Sequence, residues 1–179
     1  MIITISGMPG SGKNTVADIL AKKLKLKRYS VGNYRRGMAK KHGMTLQELN
    51  KLGEKQGFTD KEADEWQKRI GKKQGNFIID GRLSWHFISN SIKIFLDVKP
   101  EIGAKRIMLD NRQEETAKTN RQAIKMWKTR VASDIKRYKK YYNLNPYSKK
   151  NYDFVLDTSS LNIKEAAGKV LEFIKACKK

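Results

Sequence analysis

Near the N-terminus, glycines, a lysine and hydroxyl residues stand at spacings that suit the binding of phosphate groups. The segment consists of Gly7, Met8, Pro9, Gly10, Ser11, Gly12 and Lys13, followed by Asn14 and Thr15. Glycines permit a tight turn whose backbone N–H groups point inward, and the lysine at its end can reach the terminal phosphates of a nucleotide. The pattern predicts a phosphate-binding loop for ATP, in which Lys13 is a catalytic cation.

The position directly after this lysine bears on metal binding. In the common pattern a Ser or Thr stands there and its hydroxyl ligates Mg²⁺, whereas this chain has Asn14, with Thr15 next. Either side chain offers an oxygen ligand, and the sequence leaves the choice between them open. Because the whole chain has one cysteine, Cys177, and two histidines, a cluster of Cys and His ligands is excluded.

A second polar group, Asp80, Gly81 and Arg82, follows the apolar residues 77–79 in the middle of the chain. Ligands of open α/β sheets bind beyond the carboxyl ends of the strands, so we expect this group to face the glycine-rich loop. Asp80 would then act in catalysis by holding Mg²⁺ through water, and Arg82 would bind a phosphate through two parallel hydrogen bonds.

A third group lies in a strongly basic segment between residues 100 and 150. Arg130, Asp134 and Arg137 are spaced by four and three residues, so they share one face of a helix. Two interpretations stay open: a salt-bridge ladder on a solvated helix face, and arginines that Asp134 orients toward phosphates. In the second interpretation, the arginines are solvated until a ligand draws them together.

These groups need elements that place them at one edge of a sheet. Short apolar runs predict strands at residues 2–5, 28–31, 76–80, 92–98 and 152–157. Apolar residues at helical spacing, with a capping box at Thr45 and Glu48, predict helices over 16–24, 33–41, 45–55, 60–72 and 163–175. Strands that alternate with helices indicate a parallel sheet, so the predicted fold class is α/β.

Composition limits the remaining choices. With 179 residues, 39% of them hydrophobic, the chain can build one ordinary core, and we expect a single domain over 1–179. Neither an apolar run of membrane length nor a signal-peptide pattern occurs, so we expect a cytoplasmic protein without a membrane partner. We also expect a monomer. The formal net charge of +21 attracts phosphate-bearing molecules. Because the lysines are scattered, a pocket for an anionic substrate is favoured over a nucleic-acid-binding surface.

With these groups in place, the chain resembles the archaeal-type cytidylate kinases, which are nucleoside-monophosphate kinases with a phosphate-binding loop. The residues that carry the resemblance are 3–7 leading into the loop, 30–32, 36–40, 80–84, Arg130 with Asp134 and Arg137, 152–153 and 157–159. They extend over nearly the whole chain, whereas the loop alone is shared with many unrelated kinases.

The resemblance implies a three-layer P-loop kinase fold with a five-stranded parallel sheet. It also implies a helical insertion at residues 33–72 that binds the nucleoside monophosphate, and a lid at residues 112–137. Arg106, Arg130 and Arg137 would close over the phosphates, with Arg106 on the ATP side. The reaction would convert ATP and CMP, and dCMP as well, to ADP and CDP or dCDP.

For the acceptor, the resemblance implies that Arg36 and Arg82 hold the monophosphate and that Asp64 or Gln67 lies near the base. Asp134 would orient the lid and could also contact the nucleotide. Small-molecule nucleotides, ATP and CMP, are therefore the partners that we expect.

Two other classes of function stay open. The charge, together with Trp127, Tyr138, Tyr141 and Tyr142 among basic residues, favours an ATP-using protein that binds nucleic acid. Against it, these aromatic residues fall on predicted helices, not on a sheet that could stack bases. Asn14, at the position of the usual hydroxyl, favours a nucleotide sensor without activity, although the lysine and arginines are retained.

Overall fold

The computed structural model describes residues 1–73, 75–110 and 117–177, with the side chain of Phe58 left aside. The strands are β1 (Ile2–Gly7), β2 (Lys27–Ser30), β3 (Phe77–Asp80), β4 (Ile92–Asp97) and β5 (Phe154–Asp157). All pair in parallel, in the order β2-β3-β1-β4-β5. The predicted α/β class and the five-stranded parallel sheet are therefore confirmed.

Helices cover both faces of this sheet. They are α1 (Lys13–Leu24), α2 (Val31–Lys41), α3 (Leu46–Lys55), α4 (Phe58–Gly71), α5 (Ser84–Phe87), α6 (Pro100–Leu109), α7 (Asn120–Tyr142) and α8 (Ile163–Ala176). On one face, Ile3 and Ile5 of β1 pack with Leu20 of α1 and with Val170 and Ile174 of α8, and all five side chains are fully buried. This core fixes the start of α1, and with it the glycine-rich loop.

Three helices, α2 to α4, follow one another between β2 and β3 and form a packed unit, which we call the insertion. At the predicted capping box, the Thr45 hydroxyl accepts the Glu48 backbone N–H at 3.2 Å, and the Glu48 carboxylate accepts the Thr45 N–H at 2.8 Å. Trp66 of α4 stacks on Tyr34 of α2, with ring centroids 4.5 Å apart. Local capping and aromatic packing therefore hold the insertion together.

Element boundaries differ from the predictions by about two residues at several ends. The Ser30 hydroxyl caps α2 by accepting the Asn33 backbone N–H, so this helix starts at Val31. α4 starts at Phe58, and β5 starts at Phe154. Such shifts follow from caps and pairing, which apolar periodicity does not specify.

α7 is one continuous helix of 23 residues. Its Trp127 side chain is buried and packs in one cluster with Ala104 of α6. The predicted lid at 112–137 falls partly outside the described residues, because Arg112 and its neighbours up to 116 lie there. The described part of that range runs straight into a helix that continues to Tyr142. Within the described ranges, no helix is long and apolar enough to cross a membrane.

Candidate active site

The glycine-rich loop lies between β1 and α1 and is pressed against α6. Gly12, with φ 80° and ψ 10°, directly precedes α1, whose N-terminal dipole favours bound anions. A Cβ on Gly10 would lie 2.2 Å from the backbone oxygen of Gly103, so a side chain has no room at this approach of loop and helix. The Trp127 indole N–H donates to the Pro9 carbonyl at 2.8 Å. Contacts with α6 and α7 therefore fix the shape of the loop.

A cavity of about 350 Å³, which we call the loop cavity, opens beside the loop. Its lining includes Lys13, Asn14, Thr15, Arg36, Arg106 and Arg130. Arg106 donates to the Thr158 hydroxyl at 3.2 Å and to the carbonyls of Thr158 and Leu161 at 2.8 and 3.2 Å. These hydrogen bonds hold the Arg106 guanidinium at the cavity wall, beside the loop.

A narrower space, which we call the arginine cleft, lies between the loop and the insertion. Six basic side chains line it: Lys13, Arg35, Arg36, Arg82, Arg130 and Arg137. Two carboxylates, those of Asp80 and Asp134, line it as well. Lys13, Arg36 and Arg130 also line the loop cavity, so the two spaces meet at these cations. The sites predicted for two phosphate-bearing ligands are therefore contiguous.

Asp134 is the centre of a buried hydrogen-bond network in the arginine cleft. Its Oδ2 accepts from Arg82 Nε at 2.5 Å and from the Tyr147 hydroxyl at 2.6 Å, and its Oδ1 accepts from Arg137 Nη2 at 3.0 Å. Burial alone would raise the pKa of Asp134, but the nearby arginines lower this pKa to about 2. Burial alone would lower the pKa of Arg82, but the Asp134 carboxylate keeps it above its usual value. The network therefore holds charged groups in fixed directions.

This network excludes one of the two interpretations of the helical spacing on α7, the salt-bridge ladder. Asp134 and Arg137 are only 5% and 2% exposed, so they do not form a ladder on a solvated face. The expectation that each arginine is solvated before a ligand binds is wrong for Arg137, because Asp134 already pairs with it. Arg130 is half-buried and lines both spaces.

Asp80 is expected to hold Mg²⁺ through water, and its carboxylate already accepts hydrogen bonds from neighbouring side chains. Its Oδ1 accepts from Arg28 Nε and Nη2 at 2.9 and 2.7 Å, and its Oδ2 accepts from the Ser30 hydroxyl at 2.9 Å. Arg28 is also paired with Asp18 of α1 at 2.5 Å. Asp80 therefore links β3 to β2, and it lines the arginine cleft as well. In the described part of the chain, no group of three or more His, Cys, Asp and Glu side chains could hold a metal ion.

The two residues expected near the acceptor base lie together, and neither lines the loop cavity or the arginine cleft. Asp64 and Gln67 are 6% and 3% exposed, and Gln67 Nε2 donates to Asp64 Oδ1 at 3.3 Å. The Ser84 hydroxyl donates to Gln67 Oε1 at 2.7 Å, and the Tyr142 hydroxyl donates to the Asp64 carboxylate. Burial raises the pKa of Asp64 to about 6, against the opposing effect of the Tyr142 hydrogen bond. This cluster joins α4, α5 and α7.

Four polar residues of the site escaped the sequence analysis: Arg35, Asn50, Asp60 and Tyr147. Arg35 stands next to Arg36, so an adjacent pair of arginines was its one available signal. Asn50, Asp60 and Tyr147 belong to no motif. The packing of α3 and α4 places Asn50 and Asp60 beside Arg137, and Tyr147 follows α7 and bonds to Asp134.

The aromatic residues that favoured nucleic-acid binding are largely engaged in packing. Trp127 and Tyr138 are 6% and 8% exposed. The Tyr141 hydroxyl donates to the Gly53 carbonyl at 2.9 Å, and Tyr142 is bonded to Asp64. They therefore do not offer a row of free rings for stacked bases.

Comparison with known proteins agrees with this geometry. The model of the cytidylate kinase-like family matches residues 2–160. A cytidylate kinase of Methanocaldococcus jannaschii is 39% identical over 91% of this chain and 91% of its own length. One from Archaeoglobus fulgidus is 35% identical over 98% and 94%. Shikimate kinase from Bacteroides thetaiotaomicron, at 15% identity and 98% coverage of each chain, shares the fold with a TM-score of 0.69. The resemblance inferred from the sequence is confirmed, and the chain belongs to the cytidylate kinase-like family.

Proposed function

We propose that this protein transfers the γ-phosphoryl group of ATP to CMP, and also to dCMP, giving ADP and CDP or dCDP. The observation that carries the proposal is the meeting of the loop cavity and the arginine cleft at Lys13, Arg36 and Arg130. Two phosphate-bearing molecules placed in these spaces would bring their phosphates together among fixed cations. The cytidylate kinases among its relatives favour CMP as the acceptor.

The chemistry of the site is positioning and charge neutralisation, and a covalent enzyme intermediate is not needed. Lys13 and the loop amides would bind the donor phosphates, while Arg36 and Arg82 would bind the acceptor phosphate. Arg130 and Arg137 would offset the charge that develops on the transferring group. Because Arg82 and Arg137 are already held by Asp134, little reorientation is required of them during transfer.

Mg²⁺ fits this site at the start of α1. Asn14 and Thr15 offer an amide oxygen and a hydroxyl, both of them oxygen donors that Mg²⁺ accepts, and both line the loop cavity. Either would hold the ion together with the donor phosphates, and the ion would supply further neutralisation of their charge. Asp80, which lines the arginine cleft, would hold the ion through water, with Arg28 and Ser30 orienting its carboxylate.

The proposal also assigns a role to each of two segments of the chain. Residues 33–72 would bind the acceptor, and the described part of 112–137 would close over the phosphates. The protein would act as a monomer with one kinase domain, in the cytoplasm, within pyrimidine nucleotide metabolism. Asp64 or Gln67 would lie near the acceptor base.

A coupled assay of ADP release with CMP, dCMP, UMP and AMP, each with ATP and Mg²⁺, tests the proposal. Rapid turnover with CMP and dCMP, lost in Lys13→Ala, is the expected result. Lys22→Ala is the control, because Lys22 is an exposed lysine on the same helix. RNA and DNA binding is measured on the same samples. Tight nucleic-acid binding without turnover of any monophosphate would refute the assignment.

A further inference from the structure

The arginine cleft depends on a carboxylate that does not line it, that of Asp60 in the first turn of α4. Asp60 is 2% exposed, and the N-terminal dipole of α4 favours a negative charge there. Its Oδ1 accepts from Arg35 Nη1 at 2.8 Å, and its Oδ2 lies 3.3 Å from Arg137 Nε. One buried carboxylate therefore connects an arginine of α2 with an arginine of α7.

The uncharged side chain of Asn50, on α3, contacts the same two arginines. Its Oδ1 accepts from Arg35 Nη2 at 3.0 Å and from Arg137 Nη1 at 3.3 Å. Two guanidinium groups that share acceptors repel each other strongly when they are buried. The negatively charged Asp60 carboxylate contacts both guanidinium groups and offsets this repulsion, so their common direction depends on it.

The surroundings of Asp60 are closely packed but incompletely hydrogen-bonded. A Cβ on Gly53 of α3 would lie 2.7 Å from Thr59 Oγ1 and 3.2 Å from Asp60 Oδ2. In the described part of the chain, two buried side-chain atoms of this cluster, Arg35 Nε and Thr59 Oγ1, have no hydrogen-bond partner, whereas Asp60 Oδ2 and Arg137 Nε face each other as an ion pair. The Asp60 carboxylate is therefore confined by its neighbours.

We propose that Asp60 is a positioning residue, which holds Arg35 and Arg137 in the directions that the bound phosphates require. Both arginines line the cleft, whereas Asp60 stands behind them. The same contacts fasten the insertion to α7, so the acceptor side of the cleft is set before a nucleotide arrives. The kinetic part of this proposal rests on the proposed function.

The test is Asp60→Asn, which keeps the shape of the side chain and removes its charge. Its matched control is Glu65→Gln, which removes an exposed charge from the same helix. We expect Asp60→Asn to lower kcat with CMP at least about tenfold, while KM for ATP changes less than about twofold. In an Arg137→Met background, Asp60→Asn should lower kcat by a clearly smaller factor than in the wild type, because one of the two arginines that it positions is gone.

Calorimetric titration with inorganic pyrophosphate separates this proposal from the proposed function. Weaker pyrophosphate binding by Asp60→Asn, at least about fivefold, is expected whether or not CMP is the acceptor. If Asp60→Asn does not fold, Asn50→Ala replaces it, since this change removes the shared acceptor without burying an unpaired charge. A lower melting temperature with unchanged kcat and pyrophosphate affinity would overturn the proposal, as would fully additive effects of Asp60→Asn and Arg137→Met.

Discussion

The glycine-rich loop and the arginine cleft share a wall at Lys13, yet the chain builds them in different ways. The loop is a contiguous segment whose ligand-binding groups are mainly backbone amides, and Gly10 and Gly12 adopt the positive φ angles that it needs. The cleft is made of side-chain charges from α2, α7 and the segment after β3, supported by carboxylates and an amide. Arg137 and Asn50, for example, are 87 residues apart in the chain.

This difference separates two ways of making a site for phosphate. Every segment of the chain has backbone amides, and they carry no charge that must be paired. The loop therefore needs only a suitable turn and a close approach to α6. Buried guanidinium groups need carboxylates beside them, because an unpaired buried charge is strongly unfavourable. We therefore expect changes on the loop side to affect turnover alone, and changes on the cleft side to affect both turnover and folding stability.

The largest expected effect belongs to the loop side. Lys13→Ala should lower kcat about a thousandfold, because a cation beside the transferring phosphate is lost from an enclosed site. The melting temperature should stay within about 2 °C of the wild type, since Lys13 is half-buried at the protein surface. Steady-state kinetics and a melting curve on the same sample measure both. A large fall in melting temperature would contradict the expectation that changes on the loop side, unlike those on the cleft side, leave stability unaltered.

The cleft side is probed by Arg137→Ala. Loss of this guanidinium should lower kcat at least about a hundredfold, and it leaves Asp60 and Asp134 buried without one of their partners. The free energy of unfolding should therefore fall by about 3–5 kcal/mol. Arg137→Lys should recover only part of the lost kcat and of the lost stability. An ammonium group cannot donate to two carboxylates and to Asn50 in the planar geometry of a guanidinium. Arg121→Ala, an exposed change on the same helix, serves as the control. Unchanged stability in Arg137→Ala would contradict the buried network.

The same contrast explains how much the sequence alone could predict. The strands, the capping box at Thr45 and the loop are determined by neighbours in the chain, and the structure has them within about two residues. Arg36, Arg82, Arg130 and Arg137 were identified as candidates, and they line one cleft. Asp134 was identified together with them, but Asp60 and Asn50 were not, because only the packing of distant helices places these two side chains beside Arg137.

Asp80 shows a different limit of sequence analysis. Its position at the end of a buried strand was predicted, but the partner of its carboxylate depends on the register of the neighbouring strand. In the sheet, Ser30 pairs with Asp80, and Arg28 lies two residues earlier on the same face of β2. Register between parallel strands is a tertiary property, so the sequence could not show that Arg28 occupies the carboxylate.

Arg106 lines the loop cavity alone, whereas Arg36 lines both spaces and is assigned to the acceptor phosphate, so their variants test the two substrate assignments. Arg36→Ala should raise KM for CMP at least about thirtyfold, or about 2 kcal/mol, because a charged phosphate contact is lost. Arg106→Ala should raise KM for ATP instead, since Arg106 lies at the wall of the loop cavity. Full kinetics with both substrates varied measure the four constants. Equal losses for both nucleotides in either variant would mean that the cavities do not correspond to separate donor and acceptor sites.

The smallest effect concerns stability only and comes from Asp64, on the insertion. Burial raises the pKa of this carboxyl from 3.8 to about 6, so the folded protein binds more protons than the unfolded chain between these values. The free energy of unfolding should therefore decrease as the pH rises through this range, by at most about 3 kcal/mol. Asp64→Asn removes this titration and keeps one oxygen for the Tyr142 hydroxyl, but it loses the hydrogen bond from Gln67 Nε2 to the other oxygen. The stability of the variant relative to the wild type should therefore rise by about 2 kcal/mol between pH 4 and pH 7.5. Urea unfolding at both pH values measures the difference, with Glu65→Gln as an exposed carboxylate for comparison. A stability difference that is equal at both pH values would show that the pKa of Asp64 is the same in the folded and the unfolded protein.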